Sequence, residues 1–313
     1  MNAGIVIPTY NRSELVREAV ESALQQTVPA TIVVIDDGST DSTLERLKAF
    51  GNRIRIHSQG NSERGAARNR GVDLIPEADL LFFLDADDWI APDHVEQLAK
   101  LAREHPECSL VAASGFETDG DLRPLRRLPG VPGRPITTRA FLMGNEPLAP
   151  SLFAVPRKVF ETVGGFPEAR NVAGSEDWLF AARALALGPA IRGTRSTVKM
   201  RKHDGNSMAN ARSMHQSMLR AHDHLFGEET SPVLRPDPRL HRSSRANLLL
   251  RAAVGYYAAG DMATSRQVLV QAVRLTPIIL SHPLTVWTFL RTLLGSRLSA
   301  RLRDLKHRWQ TYS

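Results

Sequence analysis

The chain has little cysteine and lacks a long uninterrupted apolar segment. Cys108 is the only cysteine among 313 residues, which excludes an internal disulfide framework and fits a reducing compartment. The most apolar late stretch, residues 278–294, is broken by Pro283 and Arg291 and is a poor membrane span. Residues 1–4 lead straight into a strand pattern, without the features of a secretory signal. We therefore expect a cytoplasmic protein and leave open its attachment to the inner face of the membrane.

Two phosphate-binding motifs are also absent. The sequence contains neither Gly-x-x-x-x-Gly-Lys-Ser/Thr nor Gly-x-Gly-x-x-Gly, which disfavours a P-loop enzyme and a dinucleotide dehydrogenase. The formal net charge is +7. A basic surface suits phosphorylated ligands, anionic lipid and nucleic acid alike. Because no recognised nucleic-acid-binding module and no basic stretch with interleaved aromatics is present, we do not expect nucleic acid as a partner.

The first hundred or so residues alternate between strand patterns and helix patterns. Continuous apolar runs at 4–8, 31–35 and 80–84 predict strands that are buried on both faces. After the first strand, Asn11 and Glu14 have the capping-box spacing and predict a helix start. The alternation predicts an α/β fold with a mostly parallel, doubly wound sheet.

The rest of the chain is less regular. Residues 115–137 are rich in proline, glycine and arginine. They predict a loop or mobile segment that lies over the ligand-binding site of the sheet. From about residue 214 only helical patterns remain, and 246–275 resembles one helix pair of the tetratricopeptide type. Segment 284–309 predicts a basic amphipathic helix. Such a helix suits peripheral contact with an anionic membrane, but packing against the domain or a dimer partner is an equally good interpretation, so oligomerisation stays open.

Acidic residues directly follow two of the predicted strands. Five aspartates occupy these positions: Asp36, Asp37, Asp85, Asp87 and Asp88. Adjacent carboxylates repel one another unless a cation neutralises them. The carboxyl ends of parallel strands share one edge of a sheet, and open α/β sheets bind their ligands there. A divalent cation carrying a diphosphate accounts for both facts, whereas a solvated helix start is the simpler alternative.

Six segments, in chain order, resemble glycosyltransferase family 2, whose members use nucleotide sugars and have the GT-A fold. The segments are IPTYNR (7–12), VIDDGSTD (34–41), GAARNRG (65–71), FLDADDW (83–89), GGF (164–166) and EDW (176–178). The resemblance covers residue 4 to about 210. It implies a GT-A type α/β sheet with flanking helices, followed by an α-helical C-terminal extension.

The same resemblance implies a division of the chain. We expect a glycosyltransferase domain at 1–212, with a nucleotide-binding half at 1–113 and an acceptor half at 114–212. A helical region at 213–313 would follow it. Members that synthesise polysaccharides processively carry a Gln-x-x-Arg-Trp element and several membrane spans. Because this chain shows neither, we expect transfer of a single sugar.

The resemblance implies a metal site at the Asp-x-Asp element. Asp87 would ligate the metal directly together with His203, and Asp88 would be a further contributor. Asp85 would reach the ribose or a metal-bound water. Mg²⁺ or Mn²⁺ suits oxygen ligands that include substrate phosphates. For a lone histidine such as His203, a surface or capping role is the alternative.

The donor nucleotide sugar would contact several residues near the strand ends. By resemblance they are Pro8, Thr9, Tyr10, Arg12, Asp36, Asp37, Arg68, Asp85 and Ala86. Asp37 would accept the N3–H of a uracil ring, although an Asx turn at the helix start also explains an aspartate there. Arg68 would lie towards the ribose or diphosphate, and its alternative is a surface arginine on an Arg-rich helix.

Asp177 matches the catalytic base of the family. An alcohol becomes a good nucleophile only when its proton is drawn off during attack, so one carboxylate near the acceptor hydroxyl is required. A single base and one in-line attack imply inversion at the anomeric carbon. The alternative for Asp177 is a first-turn carboxylate favoured by the helix dipole. Glu176 would support the base, and Trp178 would be a core residue or a stacking surface for an acceptor sugar.

These features predict an inverting, metal-dependent hexosyltransferase. The donor would be a nucleotide-diphosphate sugar, preferably UDP-linked, and the acceptor a sugar or a lipid-linked sugar. The setting would be bacterial synthesis of a cell-surface polysaccharide, lipopolysaccharide or other glycoconjugate. A nucleotidyltransferase that makes an activated sugar, and a non-catalytic binder of nucleotide sugars, remain the alternatives.

Overall fold

A computed structural model describes residues 1–144, 146–202, 211–227, 237–277 and 286. It forms two compact units. The larger unit comprises Met1–Asn206 and Asp223–Arg235, and the smaller one Ser207–His222 and Pro236–Ser313. The division at residue 212 that the sequence suggests stays a prediction.

The described residues contain ten strands and ten α-helices. The strands are β1 (Ala3–Thr9), β2 (Ala30–Asp36), β3 (Arg55–Ser58), β4 (Leu80–Phe83), β5 (Trp89–Ile90), β6 (Leu110–Thr118), β7 (Pro124–Arg127), β8 (Pro135–Ile136), β9 (Phe153–Pro156) and β10 (Ala190–Arg201). The helices are α1 (Ser13–Leu24), α2 (Thr43–Lys48), α3 (Glu63–Asp73), α4 (His94–Glu104), α5 (Thr138–Leu142), α6 (Arg157–Val163), α7 (Glu176–Leu187), α8 (Ala211–Phe226), α9 (Pro238–Ala258) and α10 (Met262–Leu275).

The strands form one mixed sheet in the order β3-β2-β1-β4-β9-β6-β10-β5, with β7 beside β6 and β8 beside β10. Strands β3, β2, β1 and β4 are parallel, as the sequence predicts. Strand β9 is antiparallel to both β4 and β6, and β10 is parallel to β6. Therefore β1, β2, β4, β6 and β10 all end at the same edge of the sheet.

Alternation along β1 assigns helices to the two faces of the sheet. Ile5 and Ile7 belong to a core cluster with Val16 of α1 and Val95 of α4. Val6 points the other way, towards α3, because successive strand residues face opposite sides. A Cβ placed on Gly71 of α3 would lie 2.3 Å from Cγ1 of Val6. Glycine thus allows α3 to lie close against the sheet.

An aromatic cluster fixes α7 on the same face as α3. Phe83 of β4 pairs with Val6, and its ring centroid lies 4.8 Å from that of Phe166. Phe166 stacks on Phe180 of α7 with centroids 4.2 Å apart. Burial of such rings contributes more than their area alone. The cluster thereby holds the first turn of α7, which contains Asp177, beside the end of β4.

Two predictions about local structure are wrong. Asn11 does not begin a capping box: the residue before α1 is Arg12, and the Asn11 side chain accepts a hydrogen bond from the Thr40 backbone N–H at 2.8 Å. Its positive φ of 49° fits asparagine, which tolerates the left-handed region. Residues 115–137 are not a plain loop, because β6 extends to Thr118 and pairs with β7 in a hairpin.

The smaller unit contains the predicted helix pair, α9 and α10. Their apolar faces share a cluster that includes Leu250, Tyr256 and Leu269. The connection ends at Asp261, whose Oδ1 accepts the Thr264 N–H at 3.0 Å and so caps α10. The predicted basic helix at 284–309 lies outside the described residues except for residue 286. Within the described part of the chain, no helix combines the length and apolarity needed to cross a membrane.

Candidate active site

Three aspartates converge in the turn after β4. Carboxylate oxygens of Asp85, Asp87 and Asp88 all lie within 4.8 Å of one another. The Asp88 N–H donates to the Asp85 carbonyl at 3.0 Å, which closes the turn and gathers the side chains. Only oxygen ligands are present, and hard divalent cations such as Mg²⁺ and Mn²⁺ prefer such sets. The arrangement therefore fits the metal that the sequence predicts.

The three aspartates differ in their surroundings. Asp88 is buried, and its carboxylate accepts hydrogen bonds from the Ser151 hydroxyl at 2.6 Å and the Arg201 N–H at 3.1 Å. Burial raises the pKa of Asp88 well above its ordinary value, and the charges of Asp87 and Asp85 raise it further. Asp88 thus ties the acidic turn to β10 and to the 3-10 turn that precedes β9. Asp85 and Asp87 are more exposed and are better placed for a ligand.

The loop after β1 supplies a cation to this turn. Arg12 Nη1 lies 2.8 Å from Oδ2 of Asp87, and both side chains are mostly buried. Tyr10 is 46% exposed, whereas Thr9 is buried. Of the predicted donor residues in this loop, Arg12 therefore lies beside the predicted metal ligand. Of the same group, the Ala86 side chain is packed in the core, so Ala86 reaches a ligand only through its backbone.

The aspartates at the end of β2 organise the loops around them. Asp36 accepts the Ser39 N–H at 3.1 Å and the Ser58 hydroxyl at 3.3 Å. Asp37 Oδ1 accepts Gln59 Nε2–H at 2.8 Å and the Ser62 N–H at 2.9 Å. Asp37 therefore orders the segment before α3, and the Asx turn at α2 belongs to Asp41, which accepts the Thr43 N–H. Base recognition by Asp37 stays a prediction.

Arg68 is a buried link between the two halves of the site. Its side chain is 1% exposed, with Nη2 2.8 Å from Asp85 and Nη1 2.9 Å from Glu176. The guanidinium also lies over the Phe166 ring, 5.1 Å from the centroid. It is not the surface arginine of the simpler interpretation. Both terminal nitrogens of Arg68 bind carboxylates of the protein. Its contact with the ribose or diphosphate stays a prediction.

Asp177, the predicted catalytic base, has a raised pKa and a fixed carboxylate. Its pKa is raised to about 7: burial is the largest cause, the charge of neighbouring Glu176 adds to it, and the charge of Arg68 opposes both. The Trp178 N–H donates to Asp177 Oδ1 at 2.7 Å and fixes the carboxylate at the start of α7. A base whose pKa lies near the working pH is ionised in part and still accepts a proton readily.

The other predicted acceptor-side residues differ in their surroundings. Glu176 is buried between Arg68 and the Gly174 N–H, which donates to it at 2.7 Å, and its support of Asp177 stays a prediction. Trp178 is half-buried and stacks on Phe141 with centroids 6.1 Å apart. His203 lies outside the described residues, so its role as a metal ligand stays a prediction.

Ser151 is a site residue that the sequence analysis missed. Its hydroxyl accepts the Asp85 N–H at 3.1 Å and donates to Asp88 at 2.6 Å, so one side chain fixes both aspartates. It lies 63 positions from Asp88 in the sequence. The strand pattern near it is visible, but no local signal links a serine there to the acidic turn.

Comparison with known proteins identifies the family. The model of Glycosyl transferase family 2 matches residues 4–164. EpsH of Bacillus subtilis (strain 168) is 31% identical over 121 residues, which are 37% of this chain and 35% of that protein. The poly(ribitol-phosphate) beta-glucosyltransferase of Bacillus spizizenii is 30% identical over 172 residues, 52% of this chain and 24% of the relative. The matched region thus spans little more than a third, or less, of these relatives.

Solved structures share the fold over most of the chain. Staphylococcus aureus TarS 1–349 in complex with UDP-GlcNAc has a TM-score of 0.59 at 18% identity, over 86% of this chain and 90% of that one. The mannosyltransferase PcManGT of Pyrobaculum calidifontis, in complex with GDP-Man and Mn²⁺, has a TM-score of 0.55 at 19% identity, over 97% and 87%. The likeness confirms the GT-A type fold. Since the family model covers half of the sequence, including both acidic turns, the chain belongs to glycosyl transferase family 2.

Proposed function

We propose that this protein is an inverting, metal-dependent glycosyltransferase that moves one sugar from a nucleotide-diphosphate sugar to an acceptor hydroxyl. The observation that carries the proposal is the pairing of two carboxylate sets across one buried arginine. Asp85 and Glu176 both bind Arg68, so the acidic turn after β4 and the base-bearing end of α7 belong to one site. Transfer chemistry needs such a pairing, with a donor subsite next to a base.

The donor subsite holds Mg²⁺ or Mn²⁺ through Asp87, with Asp85 and Asp88 close by. A bound divalent cation supplies Lewis-acid stabilisation of the departing diphosphate. Arg12 places a positive charge beside Asp87. In this proposal the guanidinium also pairs with the phosphate groups of the donor. PcManGT, a relative in fold, binds GDP-Man together with Mn²⁺. His203 completes the set in this proposal, as the resemblance implies.

Asp177 accepts the proton of the acceptor hydroxyl as that oxygen attacks the anomeric carbon. A positioned base contributes a factor of ~10²–10⁴ to such a reaction. Attack from the face opposite the departing diphosphate inverts the configuration. The Trp178 N–H holds the carboxylate at the start of α7, and Arg68 keeps part of Asp177 ionised near neutral pH because its charge opposes the effect of burial.

The donor is a UDP-sugar in this proposal. Asp37, fixed through Oδ1, offers a carboxylate as acceptor for the N3–H of uracil. TarS of Staphylococcus aureus binds UDP-GlcNAc with a similar fold, which supports the same donor class here. Curated relatives act on poly(ribitol-phosphate) or are named chondroitin synthase. We therefore place the reaction in bacterial polysaccharide or glycoconjugate synthesis at the cytoplasmic side of the membrane.

The test compares the protein with its Asp177→Asn variant. A panel of nucleotide sugars is screened with Mn²⁺ for protection against thermal unfolding, since a ligand that binds the native state raises apparent stability. The best donor is then used to measure transfer, or hydrolysis in the absence of acceptor. We expect Asp177→Asn to retain protection and to lose turnover by at least about 100-fold. Equal turnover would refute the assigned base, and protection without turnover in the unmodified protein would indicate a non-catalytic binder.

A further inference from the structure

Four side chains form a row across the sheet next to the acidic turn. Lys199 of β10 is in register with Trp89 of β5 on one side and with Phe116 of β6 on the other. Phe116 in turn is in register with Arg127 of β7. Because residues in register project from the same face, aromatic and cationic side chains alternate along this line. We refer to Trp89, Lys199, Phe116 and Arg127 as the aromatic–cation row.

The row lies on the face of the sheet that carries α7. Ile90 and Val198, the neighbours of Trp89 and Lys199, belong to the core cluster with Val95 of α4 on the opposite face. Alternation therefore turns the row towards the side where α3 and α7 pack. Trp89 also follows Asp88 directly. The row thus starts at the proposed metal site and extends away from it on the face of the sheet that bears Asp177.

Folding alone does not account for the charges of the row. Lys199 Nζ lies 4.9 Å from the centroid of the Trp89 ring, and Arg127 is exposed. Within the described ranges, neither cation forms an ion pair with a carboxylate. Arg126, the neighbour of Arg127 that faces the other side of the hairpin, pairs with Glu117. The row consequently presents two uncompensated positive charges beside two half-buried aromatic rings.

We propose that the aromatic–cation row binds the acceptor, and that the acceptor is an acidic saccharide. The apolar faces of its sugar rings would pack on Trp89 and Phe116, as ligand surfaces pack on aromatic side chains. Its phosphate or carboxylate groups would pair with Lys199 and Arg127, because charge-assisted hydrogen bonds are the stronger ones. The inference rests on the proposed function, since it assigns the row to the substrate that Asp177 activates.

Binding of short saccharides to the full chain tests the row. The probes are oligomers of equal length: hyaluronan fragments with carboxylates, ribitol-phosphate oligomers with phosphates, and neutral chitin fragments. Calorimetry at low salt compares the unmodified protein with Lys199→Gln, Arg127→Gln and, as the matched control on the opposite face, Arg126→Gln. We expect one acidic probe to bind more tightly than the neutral one, and Lys199→Gln and Arg127→Gln each to weaken it by about three- to tenfold. Arg126→Gln should leave it unchanged.

Donor protection separates this inference from the proposed function. With UDP-GlcNAc and other nucleotide sugars plus Mn²⁺, Lys199→Gln and Arg127→Gln should be protected as well as the unmodified protein. If protection is present but acidic probes bind no better than neutral ones, or if Arg126→Gln weakens them equally, the row is not the acceptor site. Binding of anionic vesicles or single-stranded DNA through the row without binding of acidic saccharides also overturns it. If no nucleotide sugar protects the unmodified protein against thermal unfolding, the proposed function is refuted instead.

Discussion

Arg68 and Glu176 form an ion pair in the interior of the protein, with 2.9 Å between Nη1 and Oε1. The same guanidinium binds Asp85 through Nη2 at 2.8 Å. One buried cation thereby joins α3, the turn after β4 and the first turn of α7. Desolvation of these charges is costly, so the pair does not by itself explain stability. It does hold the turn after β4, which we assign to the donor, next to the first turn of α7, which contains the proposed base.

Removing the buried cation should destabilise the protein. Arg68→Gln leaves Asp85 and Glu176 without their counter-charge, and we expect the free energy of unfolding to fall by about 3–5 kcal/mol. Urea denaturation followed by circular dichroism measures the change. Arg64→Gln, on the exposed face of the same helix, is the control and should change stability by less than about 0.5 kcal/mol. Equal effects of the two substitutions would mean that the buried ion pair contributes no more to stability than an exposed arginine does.

The pH dependence of turnover should report the pKa of Asp177. The base acts when ionised, and its pKa is raised to about 7, so turnover should increase as the pH rises through about 7. Glu176→Gln removes a charge that raises this pKa and leaves Arg68 with Asp85 as its remaining carboxylate partner, and both effects lower the pKa. The midpoint should therefore move to lower pH. A pH–rate profile measures it, with Glu161→Gln, exposed on α6, as the control. An unchanged or higher midpoint in Glu176→Gln would contradict the assignment.

Alanine in place of either of two glycines of α3 should destabilise the protein. A Cβ at Gly65 would lie 2.2 Å from the carbonyl oxygen of Pro167, and one at Gly71 would lie 2.3 Å from Val6. Overpacking of this kind costs about 1–3 kcal/mol, so Gly65→Ala and Gly71→Ala should lower the thermal midpoint. Gly60→Ala, with no atom within 4 Å of the added Cβ, is the control and should not. If Gly65→Ala were as stable as Gly60→Ala, the close contact between α3 and the Pro167 segment would be wrong.

The sequence predicts those features that depend on local patterns. Apolar runs locate β2 and β4 within about one residue at each end, both strands end at the same edge of the sheet, and the three aspartates after β4 lie close together. Parallel topology explains this success, because it brings the strand ends together whatever the loops do. The burial of Arg68 was missed, because an arginine on an Arg-rich helix looks solvated until its distant carboxylate partners are known.

Features that depend on distant contacts could not be predicted. Ser151 fixes two aspartates from the 3-10 turn just before β9, a strand that pairs with β4 only in the folded chain. Asn11 bonds to Thr40 rather than to its own helix, because the long-range partner competes with the local cap. The β6–β7 hairpin was read as a loop because proline, glycine and arginine obscure its alternation. The aromatic–cation row is invisible in the sequence, since its members come from four strands.

The most direct test of the account is calorimetric titration of UDP into the protein with Mn²⁺ and again with a chelator. We predict that UDP binds only with the metal and that Asp87→Asn weakens this binding by at least about tenfold, the equivalent of 1.4 kcal/mol. Asp79→Asn, at the opposite end of β4, is the matched control and should bind like the unmodified protein. Equal affinity with and without Mn²⁺, or full affinity in Asp87→Asn, would contradict the claim that the acids after β4 hold a metal-bound nucleotide diphosphate.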